Sequence, residues 1–183
     1  MALIVGFGGT TRAGSSTERV LRAGLQLAAG LGAETAIVAG PELALPHYDP
    51  SVPERTEHAA RLVDLLRRAD GVLVASPGYH GTVSGLVKNA LDYVEDLSKD
   101  ARPYLDGRAV APIAVSWGWQ AAVSTMQTLR QTIHALRGWP TPVGVAIGAS
   151  GNLFTDDGML ADAALQKQLQ IAVEQVVWFA GRR

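Results

Sequence analysis

Residues able to do chemistry gather in two glycine-rich stretches. The first, "GFGGTTRAGSSTERVL" at 6–21, places hydroxyls and one arginine just ahead of a helical pattern. Ser15 and Glu18 have capping-box spacing, which predicts a helix start at 15–17 with unpaired N–H groups and a partial positive charge. Such an end suits an anion. Thr10, Ser15, Ser16 and Thr17 add hydroxyl donors and Arg12 a charge-assisted fork, a set better matched to one phosphate monoester than to a pyrophosphate. The competing reading is structural: Ser15 and Glu18 only cap the helix, and the glycines only turn.

Two nucleotide motifs fail on single residues. Residues 9–16 have P-loop spacing, but Ser15 stands where the triphosphate-binding lysine belongs. Gly6 and Gly8 open a dinucleotide fingerprint, yet position 11 is Thr11, and the next apolar run ends in Ala39 and Gly40 rather than in an acid for a ribose.

The second stretch is "SPGYHGTVSG" at 76–85. Read as a loop entered at Ser76, it leaves main-chain groups uncovered at Gly78, Gly81 and Gly85, and Tyr79 can lie beside a planar ligand. It suits a grip on the edge of a flat heteroaromatic ring, with a simple corner as the alternative. No carboxylate partner for His80 is visible, so it reads as a polar rim residue rather than a proton-transfer group.

Alternating elements must position these stretches. Apolar runs at 3–7, 35–39, 71–75, 110–115 and 143–147 read as strands buried on both faces. Between them lie helical periodicities such as Leu21, Leu25 and Ala28, or Ala122, Met126, Leu129 and Ile133. Five strands, each followed by a helix, predict a doubly wound α/β parallel sheet with helices on both faces. Ligands then sit beyond the carboxyl ends of strands, which directs attention to the loops after strands one, three and four.

Composition removes other classes. With 183 residues and 48% hydrophobic content, one domain over 1–183 is expected. Sixteen basic and 17 acidic residues leave a net charge of −1, without the basic field that nucleic acid requires. There is no cysteine, and His47, His58, His80 and His134 are scattered without metal-ligand spacing, so no metal site is expected. No G-x-S-x-G nucleophile elbow occurs. The opening "MALIVGFGGTTRAGSS" is too short in apolar residues for a signal peptide, and no membrane-length run follows; a soluble cytoplasmic protein is expected.

"SPGYHGTVSGLVKNALDYV" resembles the signature of the NAD(P)H-dependent FMN reductase family, which has S/T-P-x-Y, a glycine, and a K-N-A-hydrophobic-D helix. "GGTTRAGSSTERVL" is similar to its G-S-x-R-x-x-S-x-N phosphate loop, and "LALPHYDPSVP" to its L-P-x-Y-D segment. The stretch "DGRAVAPIAVSWGWQAAVSTMQTLRQTI" looks like its fourth strand, third flavin loop and following helix. The resemblance implies a flavodoxin-like fold with strand order 2-1-3-4-5.

It further implies FMN as cofactor, with the phosphate held by Thr10, Arg12, Ser15, Ser16 and Thr17. The isoalloxazine would meet the main chain of Pro77, Gly78, Tyr79, His80 and Gly81, and would be bordered by Ser116, Trp117, Gly118 and Trp119. Thr17 replaces the family's asparagine and Gly78 a frequent glutamate. NADPH or NADH would pass hydride to the flavin N5, and a small-molecule acceptor such as a flavin, quinone or azo compound would leave with electrons. No side-chain acid or base is required, so no catalytic residue is assigned. A homodimer or homotetramer is expected. Lys88, Asn89 and Asp92 read as structural, the asparagine and aspartate as ties from helix to loop. The rival is a flavodoxin-type electron carrier, against which stand Arg12 in the loop and the near-zero net charge.

Overall fold

Strand formation follows the apolar runs closely. The computed structural model describes residues 1–149 and 151–182. Its strands are β1 (Leu3–Gly8), β2 (Glu34–Ala39), β3 (Gly71–Tyr79), β4 (Thr82–Val83), β5 (Ala109–Ser116), β6 (Trp139–Pro140) and β7 (Val145–Gly148). The helices are α1 (Ser16–Gly30), α2 (Glu57–Arg68), α3 (Gly85–Asp92), α4 (Trp119–Ala135) and α5 (Ala163–Ala180).

All strands join one sheet whose backbone path runs β2-β1-β3-β5-β6. The expected five-strand order holds with one refinement. The fifth position is split, since β6 pairs with the start of β5 and β7 with its end, both parallel. β4 is an addition, antiparallel to the end of β3. β2 departs from the expected two-sided burial: Glu34 and Thr35 are exposed because the strand lies at the sheet edge.

Alternating side chains divide the core between the two faces of the sheet. Val5, Phe7, Val72 and Val74 pack on one face with α2, α3 and α4. Ile4, Leu73, Ile113 and Val115 pack on the other with α1 and α5. Hydroxyl caps start three of the helices: Ser15, Thr56 and Ser84 accept from the N–H three residues on. Asp162 caps α5, whereas α4 starts at Gly118 without a side-chain cap. Among the described residues, no helix is long and apolar enough to cross a membrane.

Candidate functional site

The turn after β1 is shaped by glycine. Gly8 has φ +137, and a Cβ there would lie 1.9 Å from the Ala75 carbonyl oxygen, so β1 passes β3 too closely for any side chain. The Gly9 N–H then donates to the same oxygen at 3.0 Å. Thr10 folds the next residues into a tight bend, its Oγ1 accepting from the Arg12 N–H at 3.2 Å.

The predicted cap forms, with a shift. Ser15 Oγ accepts from the Glu18 N–H at 3.3 Å, but the buried Glu18 carboxylate takes the Gly14 N–H at 3.0 Å rather than that of Ser15. Its other oxygen meets Arg22 Nη2 at 2.7 Å. That pairing consumes the one acidic charge at the helix start. Arg12, exposed, has no side-chain partner among the described residues, and the N–H groups of Ser16 and Thr17 have no intrahelical acceptor.

The stretch at 76–85 requires a correction. It is not a loop beginning at Ser76 but the continuation of β3 into a hairpin. Ser76 and Pro77 pair with Ala114 and Val115 of β5; Gly78 and Tyr79 pair with Val83 and Thr82 of β4. Only His80 and Gly81 turn, at φ 52 and 85, the two positive values that a type I′ hairpin needs. Proline and glycine masked the strand, because the ladder to β5 survives one missing donor. Ser76 ties the hairpin base together, its Oγ accepting from the Ser84 N–H at 3.0 Å and donating to the Pro77 carbonyl.

Gly78 is demanded by packing. A Cβ there would lie 1.9 Å from Ser116 Oγ and 2.6 Å from Thr125 Oγ1. Both hydroxyls are buried and lack a hydrogen-bond partner among the described residues.

These pieces enclose a cleft of about 320 Å³ at the carboxyl end of the sheet. Thr10, Arg12, Ser15, Ser16 and Thr17 form one end; Pro77, Gly78, Tyr79, Ser116 and Trp117 form another wall. Trp117 is 93% exposed at its mouth. His80 and Gly81 do not line the cleft, because they are the hairpin tip beyond Tyr79, and neither do Gly118 and Trp119, which open α4.

Sequence reasoning missed a wall. Ala149, Gly151, Asn152, Leu153 and Phe154 line the cleft, along with Val115 and Arg19. The Arg19 guanidinium carbon sits 3.8 Å from the centroid of the buried Phe154 ring, joining α1 to this wall. Extending the carboxyl-end rule to the fifth strand would have found it.

The 41–53 segment behaves differently. Asn89 on α3 accepts from the Tyr48 N–H at 2.8 Å and donates to the carbonyls of Leu45 and Pro46 at 3.3 and 2.8 Å. Tyr93 also donates to Pro46, at 3.0 Å. Arg55 forms a two-pronged pair with Asp96 at 2.7 and 2.9 Å, and its guanidinium lies 5.0 Å from the Tyr48 ring centroid. Hydrogen bonding from Arg55 holds the Asp96 carboxyl below its ordinary pKa, while burial, followed by the Asp96 charge, raises the Tyr48 phenol. Lys88 and Asp92 pair with each other at 2.6 Å on the helix surface.

Residues 2–152 match the model of the NADPH-dependent FMN reductase family. The chain belongs to that family. The match takes in the wall as far as Asn152, while Leu153, Phe154 and α5 lie beyond it. An FMN-dependent NADPH-azoreductase of Staphylococcus aureus is 30% identical over 132 residues, which are 71% of this chain and 66% of that relative. The chain thus spans just under two thirds of that relative's length. Among solved structures, FerB, a flavoenzyme NAD(P)H:(acceptor) oxidoreductase from Paracoccus denitrificans, superposes with a TM-score of 0.82 at 23% identity, covering 100% of this chain and 98% of that one. A flavodoxin, WrbA-like protein from Agrobacterium tumefaciens superposes with a TM-score of 0.66 at 14% identity, covering 99% and 98%. The fold is flavodoxin-like.

Proposed function

We propose that this family member is an NAD(P)H-dependent flavin reductase that binds FMN in the cleft at the carboxyl end of its sheet. One observation carries the reading. The cleft joins Arg12 and open helix N–H groups at one end to aromatic and apolar walls and the Ser116 hydroxyl at the other, and among the described residues neither the Arg12 side chain nor that hydroxyl has a partner. A phosphate monoester attached to a flat ring matches both ends at once.

Arg12 and the N–H groups of Ser16 and Thr17 would hold the phosphate, with Thr10 and Ser15 shaping the turn around it. Pro77, Gly78 and Tyr79 would present main chain along the ring edge, and Ser116 Oγ would gain the partner it lacks. Trp117 and Tyr79 would shield the mouth from water. FMN, when bound, supplies the two-electron chemistry, taking hydride from a reduced nicotinamide and reducing a small-molecule acceptor. No side chain is assigned as acid or base. The S. aureus relative is named for azo reduction, and an azo compound, quinone or free flavin is the acceptor class proposed here. We also propose that residues 1–183 act as one domain and that the chain self-associates as a homodimer or homotetramer.

Apo-protein should bind FMN, and the complex should lose its oxidised-flavin absorbance on anaerobic mixing with NADH or NADPH. Retention of that band with both nucleotides would overturn the reductase reading and leave the electron-carrier one.

A further inference from the structure

Three threonines lie on α4, at 125, 128 and 132, and they use their hydroxyls differently. Thr128 and Thr132 each donate to the carbonyl four residues back, that of Ser124 at 3.1 Å and that of Thr128 at 2.9 Å. This is the usual way for a helix to satisfy such a hydroxyl. Thr125 does not do so. The carbonyl four residues before it, that of Ala121, takes the Ser124 hydroxyl at 3.2 Å, and Thr125 Oγ1 has no hydrogen-bond partner among the described residues. Thr125 is fully buried, on the face that also buries Ala122, Leu129 and Ile133. Packing there asks only for an apolar side chain of the same shape, such as valine, so the hydroxyl is an addition that burial penalises.

Its neighbour is Ser116, the last residue of β5. Both oxygens lie within 2.6 Å of the point that a Cβ on residue 78 would occupy, so the glycine there is what lets them come together. Ser116 Oγ is also buried and without a partner among the described residues. Ser116 lines the cleft and Thr125 does not. The order from helix to cleft is therefore Thr125, then Ser116, then ligand.

A hydroxyl that accepts a hydrogen bond becomes a stronger donor on its far side. We infer that Thr125 is a positioning residue: its hydroxyl donates to Ser116 Oγ and turns the Ser116 proton into the cleft, toward an acceptor atom on the edge of the flavin ring. An acceptor there fixes the Ser116 rotor, and both hydroxyls are then satisfied at once. Reduction makes the ring more electron-rich, so a donor aimed at its edge holds the reduced form more tightly than the oxidised one. Through Ser116, Thr125 thus raises the flavin potential without touching the ring.

This inference rests on the flavin reading above. Titration of the apo-protein with oxidised FMN, and anaerobically with reduced FMN, tests it with Thr125→Val, Thr125→Ser, Ser116→Ala and the combination of Ser116→Ala with Thr125→Val. Thr125→Val should leave the urea midpoint of the apo-protein unmoved or raise it, because a buried unpaired hydroxyl is removed without a change of shape. It should weaken oxidised FMN about threefold and reduced FMN about 10-fold, a difference of about threefold that corresponds to a fall of about 15 mV in the two-electron potential. Thr125→Ser keeps the hydroxyl and should stay within about twofold of wild type for both forms. With Ser116→Ala already present, Thr125→Val should change neither affinity further, since the route to the ring is gone. Equal weakening of the two redox forms, or the same loss with and without Ser116, would mean that Thr125 acts by packing and would overturn the relay alone. A wild type that binds no FMN would overturn the flavin reading and the relay with it.

Discussion

The segment after β2 and the turn after β1 both hold arginine beside carboxylates and other polar groups, to opposite ends. In the first, asparagine, tyrosine, arginine and aspartate spend their hydrogen-bonding capacity on one another and on main chain, from Asn89 to Asp96. In the second, the charge at the helix start is paired away through Glu18 and Arg22, while the Arg12 side chain and the Ser116 hydroxyl have no partner among the described residues. The first region braces α3 against the loop. The second keeps donors available at the mouth of a cleft. Polar residue content alone therefore does not separate a brace from a site; what separates them is whether the partners are already inside the chain.

The widest break in this comparison is Asn89→Ala. It leaves the Tyr48 N–H without its acceptor and the Leu45 and Pro46 carbonyls without this donor. At about 1 kcal/mol for each lost bond, urea unfolding of the apo-protein should register a loss of about 3 kcal/mol, with FMN affinity little changed. Arg12→Ala should give the reverse pattern. Unfolding stability should stay within about 0.5 kcal/mol, as expected for an exposed side chain without a partner. FMN binding should weaken by about 2 kcal/mol, roughly 30-fold, because a charge-assisted contact to the phosphate is lost. Riboflavin, which has no phosphate, should bind both proteins alike. Equal weakening of FMN and riboflavin would remove Arg12 from the phosphate end.

The sheet was legible because buried parallel strands write themselves as apolar runs, and the helices because one face repeats at helical spacing. The turn after β1 was legible because its capping signal is local. The β3–β4 hairpin was not: Pro77 and Gly78 are turn residues by type, and only the ladder with β5 and the close approach of Ser116 reveal a strand. The wall of Ala149 and 151–154 carries no motif at all. Its place depends on Phe154 packing beneath Arg19, a contact between the start of α1 and the segment after β7 on the same face of the sheet, which no local pattern encodes.

A smaller break lies within the brace. Asp96→Asn removes the ionic half of a bidentate, partly buried pair with Arg55 and should cost about 1 kcal/mol at neutral pH. The carboxyl pKa is lowered in the folded protein, first by the Arg55 hydrogen bonds. Its contribution is therefore fully present above the unfolded value of about 4 and is lost as pH falls through the lower folded value. Urea unfolding at stepped pH should show wild type and Asp96→Asn converging on the acid side. A gap that persists in acid would mean that the variant lost packing rather than charge.

The smallest expected effect tests the boundary of the site itself. His80 sits at φ 52 beside Gly81 at φ 85, so the turn selects for residues that tolerate the left-handed region. His80→Asn creates the Asn-Gly pair that type I′ turns favour and should leave stability unchanged or raise it by about 0.5 kcal/mol. His80→Val, β-branched at the same φ, should lower stability by about 1 kcal/mol. Since His80 does not line the cleft, the folded form of both variants should bind FMN as wild type does. If His80→Asn instead weakened FMN as much as Arg12→Ala, the hairpin tip would have to close onto the ligand. The boundary between brace and site would then fall one turn further along the chain.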